Sequence, residues 1–63
     1  MGIELYTQFD KRYWIAINGM FKYYRDKDST LWKQGYFGDM ESKANDVTKI
    51  CDMTEEELFT ELL

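Results

Sequence analysis

The chain has 63 residues, a net charge of −4, one cysteine, and neither histidine nor proline. That length allows one small domain, near the limit at which a hydrophobic core sustains itself. A single cysteine, Cys51, excludes an internal disulfide, and without histidine the closed ligand sets of structural zinc are out of reach.

No apolar run approaches the ~20 residues of a membrane helix. There is no leader-like pattern of basic then apolar residues. Gly2 opens like a myristoylation signal, but Tyr6 stands where serine or threonine is required. With one cysteine, a reducing setting is the expectation, so the chain reads as soluble and cytoplasmic. Its net charge is unevenly spread. Residues 1–38 carry six Lys/Arg against four acids, and residues 39–63 carry two lysines against eight acids. Ten of the eleven aromatics also precede residue 38, so the two parts should differ in secondary structure rather than form separate domains.

In "IELYTQF", Ile3, Leu5 and Phe9 fall on one face at period two, with Glu4, Tyr6 and Gln8 opposite. Asp10-Lys11 is a turn candidate. "RYWIAINGMFKYYR" then reads as a hairpin, because Asn18-Gly19 suits a two-residue turn whose central residues both need positive φ. "RDKDST" is a polar turn, and "TLWKQGYF" offers a fourth strand weakened by Gly35. From Asp39 the period changes: Met40, Ala44, Val47 and Cys51 recur at helical spacing, with Asp39 as cap. A second helix starts at Thr54, where Thr54 and Glu57 form a capping box and Met53 and Leu58 a hydrophobic staple. Leu58, Phe59, Leu62 and Leu63 form its buried side. The expectation is therefore a single α+β domain over residues 1–63. A three- to four-stranded antiparallel meander lies within 3–37, and two short helices, at about 40–51 and 55–63, pack on one sheet face.

Catalytic chemistry is not legible. The commonest general base is missing with histidine, and Cys51 on a helical stripe reads as a small buried hydrophobe. The glycines do not space into a phosphate loop. "DKDSTLWK" begins like a calcium loop at Asp26, Asp28 and Thr30. It fails at Leu31, where glycine is needed, and at Phe37, where a bidentate glutamate is needed. No enzyme, metal or cofactor is expected. Residues 46–63 locally resemble a helix–turn–helix, with Asp52-Met53-Thr54 at the turn. That resemblance implies DNA reading, but Glu55, Glu56 and Glu57 would then face phosphates, so a helical pair used for packing is the better reading.

Straight pairing outward from Asn18-Gly19 sets Ile15 opposite Lys22 and Trp14 opposite Tyr23. One hairpin face is then Arg12, Trp14, Ala16, Phe21, Tyr23 and Arg25, and the other Tyr13, Ile15, Ile17, Met20, Lys22 and Tyr24. Both are rich in large apolar groups, yet two short helices cover one. Burying the Lys22 ammonium is costly, so the Trp14 face should meet the helices. Tyr13, Ile15, Ile17, Met20, Lys22 and Tyr24 are then the candidate protein-contact surface. The functional expectation is a small, acidic, non-enzymatic protein-binding module, self-associating as a dimer and serving as inhibitor or adaptor. In size and composition it is analogous to phage or mobile-element accessory proteins. The alternative is a nucleic-acid binder that stacks bases on the basic aromatic face. An acidic tail that mimics nucleic acid is a further option.

Overall fold

A computed structural model describes residues 2–35 and 47–63. The chain forms strands β1 (Ile3–Gln8), β2 (Arg12–Ile17), β3 (Met20–Asp26), β4 (Lys33–Gln34) and β5 (Val47–Met53), followed by helix α1 (Glu55–Leu62). All strand pairs are antiparallel, in the order β4-β3-β2-β1-β5. Strands one to four are the expected meander. β5 then adds on the far side of β1, so among the described residues β5 and the two-residue β4 are the edges.

Turn chemistry and alternation account for the meander. Asn18 (φ 53°) and Gly19 (φ 80°) take the left-handed conformations of a type I′ turn, whose twist matches that of the strands. The Asn18 N–H also donates to the Gly2 carbonyl at 2.7 Å, and the Gly2 N–H to Asn18 Oδ1 at 3.1 Å, which ties the start of β1 to the hairpin. The first turn is centred one residue earlier than expected. Phe9 (φ 55°) and Asp10 (φ 54°) are its left-handed residues, closed by the Lys11 N–H donating to the Gln8 carbonyl at 3.0 Å. Phe9 therefore lies beyond the strand and does not share the Ile3/Leu5 face.

The structure corrects the second half of the sequence reading. Over its described part, residues 47–51, the expected helix at about 40–51 is strand instead: Val47 and Cys51 belong to β5. Asp39, Met40 and Ala44 lie outside the described residues, as do residues 36–37 of the expected fourth strand. The helix–turn–helix likeness falls with that helix. Cys51 sits exposed on a strand rather than buried on a helical stripe.

α1 begins where its capping chemistry places it. Glu57 N–H donates to Thr54 Oγ1 at 3.1 Å, and Thr54 N–H donates to Glu57 Oε1 at 2.9 Å. Only Leu58 and Leu62 turn inward, one helical turn apart. Phe59 (65% exposed) and Leu63 face away from the core, contrary to the expected four-residue buried side.

Leu58 packs with Ile3 and Ile15 as the core cluster, joined by Leu5, Ile17, Tyr23, Trp32, Met53 and Leu62. The face that meets the helix is thus the Ile15 face, the reverse of the expected assignment. The cause is a β-bulge between β2 and β3. Beyond Ile15 the register slips by one, so that Ile15 opposes Tyr23, Trp14 opposes Tyr24 and Arg12 opposes Asp26. Lys22 is the extra residue, exposed at the bulge, and not a charge set into the Ile15 face.

Trp14 and Ala16, each 2% exposed, are buried on the other side of the sheet. There the Trp14 ring lies 5.8 Å from Phe21 and 5.1 Å from Tyr24, and Tyr6 meets Phe21 at 5.1 Å. The domain is stabilised by two small apolar layers, one on each sheet face.

Candidate protein-binding edge

The six residues expected to form a contact surface do not come together. Ile15 is fully buried, and Ile17 packs against the core beside it. Tyr13 lies under the Arg25 guanidinium, 4.9 Å from the ring centroid. Met20 is exposed at the hairpin tip, Lys22 is exposed at the bulge, and Tyr24 is on the opposite face against Trp14. The basic aromatic group also divides. Arg12 and Trp14 share one face, while Tyr23 and Arg25 are on the other, where Arg25 caps Tyr13 and Trp32. Arg12 is held by Asp26 at 3.2 Å.

The open ground is at β5. Among the described residues it pairs with β1 alone, and Thr48 through Asp52 are all exposed. β5 forms because Val47, Thr48 and Ile50 are β-branched and fit an extended, half-covered strand. Its register to β1 runs Ile3–Met53, Glu4–Asp52 and Leu5–Cys51, then slips so that Tyr6 faces Lys49. Ile50 is the extra residue at this second bulge and is 49% exposed.

Beside this edge, on the helix side, runs a groove of about 420 Å³ lined by Leu5, Cys51, Met53, Thr54, Glu56, Glu57, Thr60 and Glu61. Its floor is the apolar trio Leu5, Cys51 and Met53, from β1 and β5. Its wall is α1, which contributes three carboxylates. Glu57 is placed by the capping box, and the helical repeat puts Glu61 one turn further along.

On the other side of the sheet, Lys49 Nζ lies 2.8 Å from Glu4 Oε2 and 2.8 Å from Asp52 Oδ1. Hydrogen bonds to Asp52 first and then to Glu4 hold its pKa above the ordinary lysine value. Lys49 stays charged and is engaged by two acids, so it does not offset the carboxylates across the sheet. Residues 52–63 supply five acids and no base.

A larger cleft, about 710 Å³, lies between the 9–11 turn and residues 26–29. Its charges alternate: Lys11, Arg12 and Lys27 are interleaved with Asp10, Asp26 and Asp28, so no one sign is presented to a ligand. No group of three or more metal-capable side chains occurs among the described residues, nor any helix long and apolar enough to cross a membrane.

No protein-family model, curated protein or solved structure matches this chain.

The sequence reading missed this site because it placed residues 47–51 in a helix. The signal available was the run Val47-Thr48-Lys49-Ile50, where three of four residues are β-branched.

Proposed function

We propose that this chain is a small non-enzymatic protein-binding module, an inhibitor or adaptor, that accepts an extended segment of another protein along β5. One observation carries the reading: a seven-residue strand at the edge of the sheet, exposed from Thr48 to Asp52, with a groove alongside it. Strand edges present unpaired backbone groups that a second chain can pair with, and flanking pockets then select its side chains. The nucleic-acid alternative has less support. Trp14, the central aromatic, is 2% exposed and unavailable for stacking, and the arginines serve opposite faces.

Selection of random octapeptides against the folded domain tests this. Enriched peptides should slow hydrogen exchange at amides within Thr48–Met53. Failure to enrich, or enrichment of peptides that leave those amides unprotected, would overturn it.

A further inference from the structure

Resting on that edge-binding reading, we infer that the segment β5 accepts is cationic, with Lys or Arg at every second position. A strand added to β5 would lie ~4.8 Å beyond it. Alternate side chains of that strand would point to the helix side, into the groove beside Cys51 and Met53.

The groove has an apolar floor and an acidic wall, and one kind of side chain satisfies both. The methylene stem of Lys or Arg covers Leu5, Cys51 and Met53, and the charged head reaches Glu56, Glu57 and Glu61. An aliphatic side chain would use the floor but leave the carboxylates facing apolar surface. An acidic one would be repelled. The residues of the added strand that point to the other side meet Lys49, already engaged by Glu4 and Asp52, so they need no charge.

A second copy of the chain is a poor occupant. Antiparallel β5–β5 pairing about a two-fold axis would bring one acidic wall toward the other. It would also set two bulges at Ile50 near each other, which breaks the ladder on both strands.

The test uses three heptapeptides with capped ends: (Lys-Val)₃-Lys, (Glu-Val)₃-Glu and (Gln-Val)₃-Gln. Amide chemical shifts of the whole domain locate each one, and alkylation of the Cys51 thiol reports groove occupancy. The cationic peptide should shift Thr48–Met53, slow Cys51 alkylation and bind at least about ten-fold more tightly than the other two. Its affinity should fall with added salt. Glu56→Gln combined with Glu61→Gln, which leaves the capping box in place, should weaken it roughly five-fold.

If the neutral peptide binds β5 as tightly as the cationic one, the charge inference fails and the edge reading stands. If only the neutral or the acidic peptide shifts Thr48–Met53, the charge inference alone fails; if none of the three does, both fail. Concentration-dependent dimerisation that protects Thr48–Met53 without peptide would overturn the inference in favour of a second copy.

Discussion

The indole Nε1–H of Trp14 donates to Oε1 of Gln8 at 2.9 Å, with each residue only 2% exposed. This bond connects the end of β1 to the middle of β2 on the side of the sheet away from α1. It lets a polar indole edge be buried among Tyr24, Phe21 and Ala16. A buried donor left without a partner bears its full desolvation cost. Gln8→Leu should therefore destabilise the domain by about 1–3 kcal/mol in urea denaturation. In a double-mutant cycle with Trp14→Phe the combined loss should be smaller than the sum, because the second change removes the orphaned donor. Strict additivity would mean that the bond contributes nothing.

Gly35 follows β4 at the point where the chain crosses the Trp14 ring. Its N–H donates to the Lys22 carbonyl at 2.9 Å, and a Cβ there would lie 2.5 Å from Trp14 Cζ3 and 3.1 Å from Tyr24 Cδ1. Both rings are already packed, so neither can yield without cost. Gly35→Ala should cost about 1–3 kcal/mol through overpacking and alter the Trp fluorescence. Wild-type stability and emission would show that the approach is looser than the geometry requires.

Phe9 sits at φ 55° and is 58% exposed. A bulky residue in the left-handed region is strained by about 1–2 kcal/mol, and this one recovers little by burial. Phe9→Asn should raise stability by about 1 kcal/mol, since asparagine adopts that conformation readily. A thermal melt checks this, and a fall in melting temperature would show that the ring packs more than its exposure indicates.

Ile15 and Ile50 are both apolar strand residues in opposite settings, fully buried in one case and 49% exposed in the other. Ile15→Glu buries a carboxylate at the centre of the core, a cost of several kcal/mol that a domain this small does not withstand. Far-UV circular dichroism should show Ile15→Glu unfolded and Ile50→Glu folded. A folded Ile15→Glu variant would contradict the face assignment.

The sequence carried the local features well. The Asn18-Gly19 turn, the alternation of β1 and the Thr54/Glu57 capping box each depend on a few adjacent residues. What it did not carry was register. A bulge at Lys22 adds one residue to β3, and that single slip turned a face assignment built on straight pairing upside down. Nothing local to Lys22 announces the bulge; the packing of Tyr23 against the core cluster and of Tyr24 on Trp14 selects it. β5 was obscured for a related reason. Val47 and Cys51 fit a helical four-residue spacing as well as a strand, and pairing with β1, far away in sequence, decides between them. The candidate site was illegible because it is built from those two non-local elements: an edge created by β5 and a wall created by α1.

Whether β5 is a working edge is most directly measured by amide hydrogen exchange across Thr48–Met53, with and without the capped (Lys-Val)₃-Lys peptide. The expected result is fast exchange at the outward-facing amides in the free domain and clear slowing on peptide addition, with β2 amides unchanged. Equal exchange in both states, or slowing confined to residues outside β5, would contradict the assignment of this edge as the binding surface.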